Sequence, residues 1–197
     1  ADVFSQPRLC DLAEVVSESA QLGEDVVEPF SLLKGTGEIE ARERTAALCG
    51  VKAVQVEDVF PCTALQAGLL ALTAQRAGDY VARTTFEMRT SVDADRFRAA
   101  WEKVAAAAPI LRTRIVDLEG QGLVQVVVDE RIQWSTGSDM ATYIEGDKKK
   151  SIRLGTPLVW MGLVEELGSG RRSFVWTIHH ALYDGWSMSL LLEMVEK

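Results

Sequence analysis

The sequence predicts an α/β sandwich, a mixed sheet with helices packed against it. Three observations predict this. Stretches rich in β-branched and aromatic residues alternate irregularly with stretches whose apolar residues recur at helical spacing. Gly168-Ser169-Gly170-Arg171-Arg172 reads as a hairpin turn between two such strand-like stretches, spanning residues 157–180. The chain has 197 residues, 47% hydrophobic and 25% charged, enough for one domain with a core or for a domain and a fragment of another.

Residues 7–20 open on Pro7 and carry Leu9, Leu12, Ala13 and Val16 on one helical face, the spacing of an amphipathic helix. Residues 21–52 mix acidic and small residues with Gly23, Pro29, Gly35, Gly37 and Gly50, a composition that reads as a linker with one short helix near Ala41–Leu48. Thr63 with Gln66 three positions on is a capping box, and Leu65, Leu69 and Leu72 then continue at helical spacing. Residues 80–90 read as a strand. Asp93 or Asp95 caps a helix with Phe97, Ala100, Trp101 and Val104 facing inward, and Pro109 ends it. Strands follow around 111–118, 122–128 and 157–165, with a helix at 139–150 and a strand at 172–180. A last helix carries Met188, Leu191, Leu192 and Val195 at i, i+3, i+4 and i+7.

The composition narrows the partners. A formal net charge of −8, with no stripe of basic residues interleaved with aromatics, speaks against nucleic acid. The basic run Lys148-Lys149-Lys150 reads as a solvated face. The Gly-rich turn at 168–172 lacks the Gly-Lys-Ser/Thr ending of a phosphate loop. No apolar run approaches a membrane span and no signal sequence opens the chain, so a cytoplasmic location is expected. Cys10, Cys49 and Cys62 are odd in number and far apart, which argues against a disulfide framework and a zinc site and suits a reducing compartment.

The chemistry is expected near the end of the chain. The only two histidines stand together in Ile178-His179-His180-Ala181-Leu182-Tyr183-Asp184-Gly185-Trp186-Ser187, where a strand of apolar residues runs out. Neighbouring strand side chains point to opposite faces, so the pair is poorly placed to grip one metal ion, and no metal is expected. His180 shares a face with Ile178 and Trp176 and is the expected working residue. Asp184 is expected to form a structural ion pair with Arg112. Gly185 is expected to supply a positive φ or a close backbone approach, and Ser187 to cap the last helix.

The pattern His-His-x-x-x-Asp-Gly followed by Trp-Ser resembles the active-site motif of condensation domains of nonribosomal peptide synthetases, in the chloramphenicol-acetyltransferase-like superfamily. Pro61-Cys62-Thr63-Ala64-Leu65-Gln66-Ala67-Gly68-Leu69-Leu70 resembles the family's first motif in the form found in fungi. Leu111-Arg112-Thr113-Arg114-Ile115 resembles the end of its second motif, whose opening Arg-His-Glu is here Ala107-Ala108-Pro109. Asp2-Val3-Phe4-Ser5-Gln6-Pro7-Arg8-Leu9, followed by Asp11-Leu12-Ala13, resembles the last helix of a peptidyl carrier domain, without a Gly-Gly-x-Ser attachment site.

The resemblance implies a carrier remnant at 1–20, a linker at 21–52 and the N-terminal lobe of a condensation domain at 53–197, the second lobe being absent. It implies an acyltransferase that forms an amide bond between two carrier-bound thioesters. The catalytic set would be His179, His180, Asp184 and Gly185. No cofactor would be bound directly; the phosphopantetheine arms of upstream and downstream carrier domains would bring the substrates. An epimerisation domain, a terminal cyclising domain and a non-catalytic carrier-docking module are the alternatives, and Gly185-Trp186-Ser187 with the first motif favours condensation.

Overall fold

The computed structural model describes residues 27–196, so the helix expected at 7–20, with Cys10, lies outside the described residues. The architecture is α/β, with seven strands in two sheets where one mixed sheet was expected. The strands are β1 (Val56–Pro61), β2 (Val81–Met88), β3 (Thr113–Leu118), β4 (Gly122–Val128), β5 (Gln133–Gly137), β6 (Val159–Glu165) and β7 (Arg172–His179). A three-stranded antiparallel sheet has the order β1-β4-β3, and a four-stranded sheet has the order β2-β7-β6-β5. Among the described strands only the β5–β6 pair is parallel. The helices are α1 (Glu38–Cys49), α2 (Ala64–Gln75), α3 (Ala94–Ala107), α4 (Met140–Lys148) and α5 (Gly185–Glu196).

The helix starts follow the side-chain chemistry. Thr63 accepts from the Gln66 N–H and Gln66 answers at the Thr63 N–H, closing the expected capping box of α2. At α3 the cap is Asp93, which accepts from the N–H groups of Asp95 and Arg96. The expected hairpin is β6–β7, in register from Val159 opposite Ile178 to Glu165 opposite Arg172.

The four-stranded sheet is covered on two faces. On one, Trp176, Ile178 and Phe174 of β7 pack with Trp101 and Val104 of α3 and Leu191 of α5. The Trp101 ring lies 4.9 Å from that of Trp176 and 5.5 Å from that of Phe174. On the other face α4 lies across β6, and a Cβ at Gly162 would come within 1.8 Å of the Tyr143 hydroxyl. A side chain at 162 would occupy the place taken by the end of the Tyr143 ring.

Two strands escape the periodicity. In β1 the buried residues are Val56 and Val59, three apart, because the register against β4 shifts between Val56 and Asp58. The bulge puts both valines on one face and breaks the period of two. β5 is a short edge strand, Gln-Trp-Ser-Thr-Gly, with little to mark it.

Residues 27–52 are a second correction. The stretch expected as a linker folds over the three-stranded sheet, where Phe30, Leu33, Ala41, Ala46 and Cys49 form one core with Val56, Val59, Val124 and Val126. The Phe30 N–H donates to Asp58 Oδ1 at 2.6 Å. Arg114 donates to the Cys49 carbonyl at 2.7 Å and to the Gly155 carbonyl at 2.9 Å, and it pairs with Glu130. These bonds tie the segment to the lobe as a packed layer, so within 27–52 the linker gives way to structure.

Candidate functional site

β7 ends at His179, and a single 3-10 turn, His180–Leu182, leads toward α5. Val81 of β2 pairs with His179, and the His180 N–H donates to the Tyr80 carbonyl at 2.8 Å, one rung beyond the strand. The two imidazoles then part. His179 is fully buried on the Thr177 face, and His180 is exposed.

Hydrogen bonds fix the tautomer of each ring. His179 Nδ1 accepts from the Ala181 N–H at 3.1 Å, so its proton resides on Nε2 and is donated to Thr73 Oγ1 at 2.8 Å. The His180 ring stacks on Tyr183 with centroids 4.6 Å apart, and its Nδ1 lies 2.8 Å from the Tyr183 carbonyl oxygen. A carbonyl only accepts, so Nδ1 carries the proton. In the neutral ring this leaves the lone pair on Nε2, which has no hydrogen-bond partner among the described residues, on an exposed side chain.

His179 therefore braces the turn from behind, buried away from the exposed surface where His180 stands, unlike the shared catalytic place the resemblance implied for the pair. Burial, with the neighbouring His180 second, pushes it down from 6.5 to about 4. The unfolded chain then takes up a proton that the folded chain refuses. Stability from this site is complete above pH 6.5 and is lost as the pH falls toward 4. We expect the denaturation midpoint to drop between pH 7 and pH 5, and to drop less in His179→Gln. Equal pH dependence in the two proteins would contradict this.

Asp184 and Arg112 do not meet. Asp184 caps α5: its Oδ1 accepts from the N–H groups of Trp186 and Ser187 and from the Ser187 hydroxyl, at 3.1, 2.8 and 2.9 Å. Ser187 Oγ accepts the Asp184 N–H at 2.9 Å in return. The cap expected of Ser187 thus belongs to Asp184, with Ser187 as its partner. These donors, Ser187 first, hold the Asp184 carboxyl below the ordinary carboxylate range.

Arg112 is buried in the 3-10 turn after α3, and its partners are already at hand. It donates to the carbonyls of Ala105 and Val128, each at 2.9 Å, and pairs with Glu57 at 2.9 Å. The last carbonyls of a helix lack intrahelical donors and attract a cation. This is why the guanidinium stays at the end of α3 instead of crossing to Asp184.

Gly185 is the first residue of α5; its φ lies outside the left-handed region, and a Cβ there would meet no atom within 4 Å. The positive φ expected of it is not used. We expect Gly185→Ala to leave stability within about 0.5 kcal/mol, as for a surface change without strain. Loss of several kcal/mol on denaturant titration would contradict this reading.

One contact of the site was not foreseen. Gln66, in the first motif, donates to the Ala181 carbonyl at 3.0 Å and to Gln125 Oε1 at 2.8 Å, linking the start of α2 to the histidine turn. Its place in the capping box gave no hint of this reach. Trp186, beside the turn, is 78% exposed. Burial pushes the Cys62 thiol up to about 11, which leaves it protonated and a poor nucleophile near neutral pH. Among the described residues no group of three His, Cys, Asp or Glu is placed to hold a metal ion. No described helix is long and apolar enough to cross a membrane.

The fold agrees with what the chain is similar to. It is 51% identical over its whole length to nonribosomal peptide synthetase ungA of Aspergillus violaceofuscus, of which it spans 2%. Over 98% of its length it is 41% identical to nonribosomal peptide synthetase ecdA of Aspergillus rugulosus, of which it spans 3%. The crystal structure of holo T3CT superimposes with a TM-score of 0.68 at 22% identity, covering 85% of this chain and 40% of that one. The crystal structure of the starter condensation domain of rhizomide synthetase RzmA gives a TM-score of 0.58 at 17% identity, covering 70% of this chain and 37% of that one. A sequence model of the condensation domain matches residues 56–197, from the first strand through α5 and with the whole histidine turn inside it. The chain belongs to the condensation-domain family.

Proposed function

We propose that this chain supplies the histidine-bearing lobe of a condensation domain that joins two carrier-bound substrates through an amide bond. One observation carries the reading: the His180 side chain is exposed while its Nδ1–H is held by the Tyr183 carbonyl, which in the neutral ring leaves Nε2 as the acceptor. The amine of one substrate attacks the carbonyl carbon of the other's thioester. The C–N bond forms, the C–S bond breaks, and the sulfur leaves on the donor arm. Nε2 takes the proton of the attacking nitrogen and passes it to the departing thiolate, so that amine and thioester become amide and thiol. During the transfer the Tyr183 carbonyl faces the charged ring at Nδ1–H and keeps its plane fixed.

Asp184 and Ser187 set the start of α5, and the open space beside Gly185 leaves the approach to the turn clear. Phosphopantetheine arms of two carrier domains would deliver the substrates, with a second lobe as the opposite wall and the cytoplasm as the compartment. A single lobe leaves His180 on a wet surface where neither arm is held.

The test is mass spectrometry of the joined product after donor- and acceptor-loaded carriers are mixed with a polypeptide carrying both lobes, and separately with this chain. Product from the first and none from the second is expected. Deuterium uptake at the α-carbon without joined product would identify an epimerase instead, and carrier binding without turnover would identify a docking module.

A further inference from the structure

The corner between α2 and β2, residues 76–80, meets both histidines from behind. Thr73 Oγ1 lies 2.8 Å from His179 Nε2 and 2.9 Å from the Asp79 carbonyl, so one buried hydroxyl joins the corner to the first imidazole. The next carbonyl along, that of Tyr80, takes the backbone N–H of His180 at 2.8 Å. Tyr80 is in the left-handed region, with φ 59°. A bulky residue seldom adopts that conformation, and its side chain does not account for it, being 41% exposed.

The Val81–His179 pair is of the non-hydrogen-bonded type, since the His179 N–H donates to the Leu158 carbonyl, and the bond from the His180 N–H to the turned Tyr80 closes the ladder at the residue whose ring faces outward. Two bonds, one from Thr73 near the end of α2 and one from Tyr80 in the corner, thus hold consecutive residues of the histidine turn.

We infer that Thr73 and Tyr80 are positioning residues, which set the height and orientation of His180 through its backbone and through His179. The inference rests on His180 being the reacting group, but the geometry it invokes can be read without turnover. What matters at Tyr80 is the backbone conformation, so substituent size should act in reverse. Glycine, with no Cβ, adopts positive φ freely, whereas a β-branched residue resists it.

The experiment compares Tyr80→Gly with Tyr80→Val, and Thr73→Ser with Thr73→Val, with Thr45→Val as a control. Thr45 is a buried threonine that donates to the Ala41 carbonyl at 2.7 Å, away from the histidines. Hydrogen exchange at the His180 amide is measured on this chain, and kcat and KM for amide formation on the two-lobed polypeptide. We expect the His180 amide to stay protected in Tyr80→Gly and to lose protection in Tyr80→Val. The valine variants at Tyr80 and Thr73 should lose about ten-fold or more in kcat with little change in KM, the scale of a misplaced reacting group. Tyr80→Gly, Thr73→Ser and Thr45→Val should stay within about three-fold of the parent.

Protection and kcat both retained in Tyr80→Val would overturn the inference. So would equal losses in the glycine and valine variants. Protection lost with kcat unchanged would leave the brace in place but remove His180 from the chemistry, which is a failure of the functional reading alone.

Discussion

Replacing His180 by alanine in the two-lobed polypeptide is expected to lower the rate of amide formation by about 10²-fold or more, the scale of a positioned acid–base group. The ring is exposed, and its one hydrogen bond among the described residues goes to the neighbouring Tyr183 carbonyl, so its loss opens no cavity and leaves no buried donor unpaired. Folding and carrier binding should therefore survive. A drop in rate without a drop in stability separates chemistry from architecture at this position. His179→Ala should behave in the opposite sense, losing stability first, because it removes the donor to Thr73 and the acceptor of the Ala181 N–H from a fully buried place. Turnover within a few-fold of the parent in His180→Ala would remove that residue from the mechanism.

The largest effect on stability is expected at Asp147, a residue the sequence offers no reason to notice. On α4 it is almost fully buried and accepts from Arg83 Nε at 2.6 Å, Trp160 Nε1 at 2.5 Å and Thr177 Oγ1 at 2.8 Å, with Lys150 Nζ at 3.2 Å. Burial alone would push its carboxyl up, but Arg83, Thr177 and Trp160 together bring it below the ordinary carboxylate range. Asp147→Ala strands a guanidinium, an indole N–H and a hydroxyl against the sheet. Breaking such a pair costs about 3–5 kcal/mol, a large share of the roughly 5–15 kcal/mol that holds a domain together. Urea titration should show the loss. Asp184→Asn should cost less than about 0.5 kcal/mol, since asparagine caps a helix about as well as aspartate. If the two variants prove equally stable, the contrast between a buried hub and an exposed cap is wrong.

These two aspartates show how much of the site could be read in advance. Asp184 stands in a recognisable motif, and its neighbours in the chain, Trp186 and Ser187, are also its partners in space; only the guess of a distant arginine failed. Asp147 precedes a run of three lysines and reads as part of a solvated face. The lysines are indeed exposed, but Arg83, Trp160 and Thr177 are brought to Asp147 by the order β2-β7-β6, which no local pattern announces. Arg112 was misassigned for the same reason, because the carbonyls of Ala105 and Val128 draw it in and carbonyls carry no signature in a sequence.

For the fold, legibility followed regularity. The strands at 80–90, 111–118, 122–128, 157–165 and 172–180 were legible because β-branched and aromatic residues cluster there, and the helices at Thr63 and Asp93 because their caps are local. β1 was lost to its bulge and β5 to its length and polarity. Within 27–52 the short helix expected near Ala41–Leu48 is α1, but its packing was not legible, because small residues such as Ala41, Ala46 and Gly50 look like linker composition when the sheet beneath them cannot be seen.

The central claim is that the neutral His180 ring carries its proton on Nδ1 and leaves Nε2 as the acceptor, and its most direct test is the imidazole nitrogen-15 spectrum of the chain near neutral pH. With two histidines in the sequence, two rings are observed. The account predicts opposite tautomers, His180 protonated on Nδ1 and His179 on Nε2. A neutral His180 found protonated on Nε2 would contradict it, because the atom meant to receive the proton would already hold one.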